Sequence, residues 1–465
     1  MLTLNIIKRS VLIGICLTSL FSCTQTKMPS TIKPISTHAQ SNELVISKTN
    51  YEQSMYGFWL GQSIANWTGL VTEMDKIGNL GEIKTGKFYT SEDWGKPDQA
   101  SIWGQGIPSD LSETIDFVFA KNNEPWGSDD DTDIEFIYQT LLEQHQTTEL
   151  SAEQIREGWL KHIYSSDEIT PYGKDPEGDN ENYLWVSNQA AHNLMRNGML
   201  PPFTGLPENN PHFDMIDAQL TTEVFGFFAP AKPDIALRLA NLPIRTVAFG
   251  EAASIAEFYV VMYSLAARYT GQTIDTSDIL WMADTARTYL PDGQYPAKMY
   301  DFVLSKYLQG NTWEQVRDAV YQRYQVEESD WYKITSRNLY CNGCFAAGIN
   351  FASSLISLFY GEGDYKKTVK IATLAGWDSD NPAATWGGML GFILGKEGLE
   401  KIFDRSFSST FNIHRTRRNF QNDGIIPLDE MAATGVSIAD RVLRTNHVVD
   451  IKSDSWYIKD AVVKP

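Results

Sequence analysis

Apolar residues recur at three- and four-residue spacing over residues 54–72, 133–145, 152–164, 186–197, 214–228, 233–241, 250–269, 296–308, 312–324, 345–360, 364–375 and 383–395. That period lines one face of a helix, and sustained strand alternation is scarce, so the pattern predicts an all-α fold. Clusters of Pro, Gly, Asn and Asp over 171–182 and 201–211 interrupt it and predict long loops that could line a cleft. Three predicted helices carry small residues on one face: Gly57, Gly61 and Ala65; Ala252, Ala253 and Ala256; Ala346, Ala347 and Gly348. Side chains of that size let helix axes approach closely, and bundle packing alone accounts for most of them.

The N-terminal residues depart from this pattern. Lys8 and Arg9 precede an apolar run from Val11 to Phe21 that is too short to span a bilayer and suits an export signal. In Leu20-Phe21-Ser22-Cys23 a small residue precedes a cysteine, which looks like the box at which bacterial lipoproteins are cut and lipidated; Phe21 is bulky for that box, and a plain secretory cut nearby is the alternative. The expected organisation is a signal over 1–22, lipidation at Cys23, a Thr-, Ser-, Lys- and Pro-rich tether over 23–50, and one folded body over 51–465 with a C-terminal extension from about 400. Such a protein is exported and meets the membrane only through its anchor. Thr24, standing where some bacteria use a retaining aspartate, favours the outer membrane.

Charge narrows the partners. The chain carries −19, or −21 once a signal holding Lys8 and Arg9 is removed, which argues against nucleic acid. Small anionic ligands are not excluded, because bound cations and helix N-termini reverse a local field. With Cys16 in the signal and Cys23 at the anchor, only Cys341-Asn342-Gly343-Cys344 remains. Without a second such pair this is no zinc site, and a local disulfide or two buried thiols are expected.

The chemistry concentrates in two acidic clusters. Asp129-Asp130-Asp131-Thr132-Asp133-Ile134-Glu135 follows a Gly127-Ser128 turn and opens a helical pattern. One Asp caps a helix and another favours its dipole, but three in succession exceed what a cap requires. A divalent cation relieves their repulsion, and loop oxygens entering a helix suit hard ions such as Mg²⁺ or Ca²⁺. The second cluster, Trp377-Asp378-Ser379-Asp380-Asn381-Pro382, again stands at a loop-to-helix junction, with Asp378 and Asp380 aimed at one point and Asn381 adding a neutral oxygen. Each alone reads equally well as a solvated helix start. Together, each beside small-residue helices, they point to a shared metal site.

These residues resemble the ADP-ribosylglycohydrolase family, the group that includes the dinitrogenase reductase-activating glycohydrolase. The stretch from Tyr56 to Gly69 looks like its glycine-spaced first helix, with Glu73 at the family's following glutamate; Asp130-Asp131-Thr132 looks like its first acidic motif and Gly376–Thr385 like its second. Segments from Ile216 to Gly226 and from Tyr360 to Tyr365 are also similar. The resemblance implies a compact helical fold, a binuclear Mg²⁺ site and hydrolysis at the C1″ carbon of ADP-ribose. It also has departures: Asp129 stands for Thr or Ser, Asn381 for Thr or Ser, Asn66 for an aspartate, a histidine is missing between Asn241 and Glu257, and Gly343 replaces another.

On this reading Asp129, Asp130, Asp131, Asp378, Asp380 and Asn381 hold two Mg²⁺ ions, and Glu73, Asp131 and Asp378 are catalytic. Glu73 contacts the ribose and moves a proton or gates access, with a clustered aspartate as the rival general base. Asp133 and Glu135 orient ligands from behind or form a helix face. Phe203 and Tyr183 could stack on an adenine, and no chemistry is expected of His192, His212 or His414. The alternatives are an exported glycosidase of another sugar, a nucleotide-sugar- or glycan-binding lipoprotein without turnover, and a metal-stabilised structural protein.

Overall fold

The first helix begins where the sequence offers a cap. Ser47 accepts a hydrogen bond from Asn50 N (3.3 Å) and α1 runs Lys48–Gly69. It is buried on nearly every face, so it must lie inside the molecule rather than on it. The computed structural model describes residues 43–102, 111–174, 178, 180–333 and 341–464; the expected signal, Cys23 and most of the tether lie outside the described residues.

After α1 come α2 (Asp130–Gln144), α3 (Ala152–His162), α4 (Ser187–Arg196), α5 (Asp217–Thr221), α6 (Pro233–Val247), α7 (Gly250–Ala266), α8 (Thr276–Arg287), α9 (Tyr295–Leu308), α10 (Trp313–Val320), α11 (Ala347–Gly361), α12 (Tyr365–Ala375), α13 (Asp380–Phe403) and α14 (Leu428–Thr445). The fold is all-α, as the period predicts. Two small sheets trim it: β1 (Leu44–Ser47) pairs antiparallel with β6 (Ser455–Ile458), which pairs antiparallel with β5 (Val449–Lys452). In the second, β3 (Thr410–Asn412) runs parallel to β2 (Trp126–Gly127) and antiparallel to β4 (Ile425–Pro427). Among the described residues no helix is long and apolar enough to cross a membrane.

The centre is the crossing of α1 and α13, with α12, α14 and α2 also packed on α1. Its contact is made of glycines. A Cβ on Gly57 would sit 2.2 Å from Gly391 O, one on Gly61 2.5 Å from Gly387 O, and one on Gly69 2.4 Å from Asp380 Cα. The small-residue face of α1 thus brings its C-terminus onto the start of α13.

Several expected boundaries change. The first described element, β1, starts at Leu44, inside the stretch expected as tether, and its partner is β6, more than 400 residues later. The 214–228 helix is a short α5 followed by a 3-10 turn at Glu223–Gly226, where Thr221 and Thr222 turn their hydroxyls back onto the carbonyls of Asp217 and Ala218. The 383–395 segment starts at Asp380 and passes Gly395, a left-handed break with φ 67°, before ending at Phe403. The helices α8 and α14 and both sheets were not foreseen. Cys341 and Cys344 form a disulfide, with Cα atoms 5.7 Å apart.

Candidate metal centre

Both acidic clusters occupy helix starts, and the fold sets those starts against each other. Asp129 caps α2 in extended conformation, its Oδ1 accepting from Asp130 N (2.9 Å). Asp131, one residue into the helix, is 1 % exposed. Across the cleft Asp378 and Asp380 lead into α13 at 6 % and 4 % exposure. One side chain of α1 spans the two clusters: Asn66 Nδ2 lies 3.1 Å from Asp129 Oδ2, 3.2 Å from Asp131 Oδ2 and 3.3 Å from Asp380 Oδ2. Where the resemblance expects an aspartate, this amide supplies N–H donors and removes one negative charge.

Glu73 reaches the same place through a strained turn. Met74 and Trp377 are non-glycine residues with φ of 59°, and Met74 N donates to Trp377 O (3.0 Å). Such backbone costs about 1–3 kcal/mol per residue and persists only where the surroundings fix it. Here Trp377 is fully buried, its Nε1 donating to Gln325 Oε1 (2.7 Å) and its backbone N to Lys76 O (2.8 Å). The neighbours of these two residues, Glu73 and Asp378, are thereby held with Asp380 so that one oxygen from each lies within 4.8 Å of the others.

The electrostatic cost is large. Burial, then neighbouring carboxylates, pushes Asp130, Asp131, Asp378 and Glu73 well above the ordinary carboxylate range and Asp380 up to about 7. Asp131 Oδ1 and Asp380 Oδ1 are buried without a hydrogen-bond partner. Crowded hard oxygen donors, two of them buried without a partner, fit a divalent ion such as Mg²⁺.

Not every expected ligand joins it. Asn381 does not line the cleft, and its Oδ1 accepts from Gln219 Nε2 (3.3 Å), because successive helical residues project about 100° apart. Asp133 stands behind the cluster, fully buried against Arg417 (2.8 Å) and bonded by Thr416. Glu135 faces away, accepting from Gln62 Nε2 (2.6 Å) and Val224 N (2.8 Å) in a core that also holds Glu223.

The cleft encloses about 350 Å³. Carboxylates form its floor, and Trp67, Tyr183, Trp185 and Phe345 contribute aromatic wall, with Trp185 and Phe345 stacked at 6.1 Å and 17°. Tyr183 therefore stands where stacking is possible, whereas Phe203 is exposed and off the wall. His192, His212 and His414 are not on it either. Sequence reasoning assigned no role to Asp217, Trp67, Trp185, Arg415 or Thr416, all of which line the cleft. Asp217 and Trp67 fell in segments already noted; the others carried no local signal.

The model of one protein family, described as ADP-ribosylglycohydrolase, matches residues 47–405. No curated protein matches the chain. Among solved structures, one described as an ADP-ribosylglycohydrolase-related protein complex aligns at 14 % identity with a TM-score of 0.44, covering 85 % of this chain and 99 % of that one.

Proposed function

The chain belongs to the ADP-ribosylglycohydrolase family, whose membership supports a glycohydrolase-type function, and from that premise we propose a divalent-cation-dependent hydrolase of N- or O-glycosidic bonds in ADP-ribose or ADP-ribosylated substrates. One observation carries the reading: Glu73, Asp129, Asp130, Asp131, Asp378 and Asp380, from three separate segments, line one cleft.

Asp129, Asp130, Asp131, Asp378 and Asp380 would hold the Mg²⁺ ions, two in our reading. Bound there, Mg²⁺ supplies Lewis acidity and lowers the pKa of a water. Asn66 keeps the two halves of the cluster in register by donating to both. Glu73, which lines the same cleft, would accept from a ribose hydroxyl and take part in proton transfer, a role that its raised proton affinity supports. Tyr183, Trp185 and Phe345 give the substrate's flat base a face to rest on.

The test is isothermal titration of residues 41–465 with ADP-ribose in Mg²⁺, in chelator and with Asp378→Ala, followed by hydrolysis of an ADP-ribosylated protein. Metal-dependent binding that Asp378→Ala abolishes supports the reading. Metal binding without affinity for ADP-ribose sinks it and favours another sugar. We further propose export with lipidation at Cys23, checked by loss of labelled-lipid incorporation in Cys23→Ala.

A further inference from the structure

We propose that Arg415 makes the cleft selective for glycosides that carry an oxyanion, phosphoryl or carboxylate, beside the sugar. The inference rests on the reading of the cleft as a glycoside site, and Arg415 lies beyond the family-matched residues 47–405.

Among the described residues, Arg415 is the only Lys or Arg lining a cleft floored by carboxylates. Yet among the described residues its guanidinium makes no ion pair or hydrogen bond, in contrast with its neighbours: Arg417 pairs with Asp133 at 2.8 Å and Arg418 with Glu168 at 2.8 Å. Five N–H donors are therefore left for a ligand, in the planar fork that matches an oxyanion.

The side chain is nonetheless held. Its guanidinium carbon lies 5.6 Å from the centroid of the Trp67 ring, and Trp67 packs edge-on against Trp126 at 5.2 Å while its Nε1 donates to Gly127 O (3.3 Å). Gly127 leaves the room: a Cβ there would sit 2.4 Å from Arg415 Cδ. The backbone is fixed on both sides. Upstream, β3 pairs with β2 through Asn412 and Gly127. Downstream, Thr416 joins Ser128 (2.9 Å) and Asp133, and the fully buried Arg417 donates to Asn182 O (2.7 Å) and Tyr183 O (2.9 Å). The C-terminal segment thus delivers one unpaired cation to a set position above an acidic floor.

The experiment titrates the wild type, Arg415→Gln and Arg415→Lys in Mg²⁺ with two ligand pairs, ribose 5-phosphate against ribose and glucuronate against glucose, and with ADP-ribose. Wild type should prefer the anionic member of at least one pair. Arg415→Gln should weaken that member by about ten- to a hundredfold and leave the neutral member unchanged, since a charge-assisted bond is worth about 1.5–3 kcal/mol. Arg415→Lys should recover part of the loss, keeping charge without the fork. Equal losses on both members, or no loss on either, overturn the proposal, as does a wild type without preference in both pairs. Failure of ADP-ribose alone, with an Arg415-dependent preference for another anion, removes the ADP-ribose reading and leaves this one standing.

Discussion

Carboxyl groups crowded into one cleft raise one another's proton affinity, and that makes the metal-free protein sensitive to pH. Asp380 titrates near 7 in the fold against 3.8 for a free aspartate. A carboxyl raised in this way contributes stability below its unfolded pKa and loses it as pH rises through the folded value. In chelator, the melting temperature should therefore fall between about pH 4 and pH 7. Mg²⁺ should flatten the slope, and Asp131→Asn should both flatten it and raise the metal-free melting temperature by about 2 °C per kcal/mol of repulsion relieved. The same substitution should cost hydrolysis about a hundredfold or more, because it removes a ligand. A metal-free Asp131→Asn protein that melts below wild type would contradict this account. At this scale much of the centre was legible, because consecutive aspartates at a helix start exceed what a cap needs. Asn66 could be read only as a departure from a family pattern. Arg415 could not be read at all, since one arginine in a basic run acquires meaning only from Trp67 and Gly127, distant in sequence.

Between elements, the decisive contact is the glycine seam of α1 and α13. Replacing Gly391 with Ala would set a methyl 2.4 Å from Gly57 O, and backbone on both sides cannot turn aside as a side chain can. We expect a loss of about 1–3 kcal/mol in urea unfolding, together with weaker Mg²⁺ binding, because the helices must part and α13 carries Asp380. Lost stability with unchanged metal affinity would show that the seam packs the core without positioning the centre. The seam's glycines were visible in sequence, but not their partners, since spacing reports which residues share a face and never what meets it. By contrast α14 has a plain pattern in Leu428, Met431, Ala432, Gly435, Ile438, Ala439, Val442 and Leu443, all buried, and is legible in the sequence by the same three- and four-residue spacing. The break after α5 was illegible for a better reason: its apolar run continues helically, and only hydroxyl-to-carbonyl bonds and the close approach of Gly226 to Val260 O stop it.

For the molecule as a whole, the core extends beyond the family-matched residues 47–405. Leu428, Val442, Leu443, Trp456 and Ile458 are all fully buried in the common core, and Trp456 packs edge-on against Tyr51 of α1 at 5.1 Å. A chain ending at Arg405 should be insoluble or unfolded by circular dichroism, whereas residues 41–465 should fold. A soluble, cooperatively melting shorter chain would show that the C-terminal part is an accessory. The overall class was legible because helical periods dominate. The two sheets were not, because strands of two to four residues carry too little alternation to register.

The strand that closes the fold also sets its timetable. Pairing of Leu44 with Ile458 and of Ser47 with Ser455 joins residues made more than 400 residues apart. At about 5–20 residues per second, the ribosome needs about 20–80 s to travel between them. Until residues 380–445 have been made, α1, buried on nearly all sides in the finished fold, has neither α13 nor α14 to cover it. A helix housed at the centre of the fold thus waits for partners made about 310 or more residues later, and production of this protein should depend on chaperone supply more than its native stability suggests.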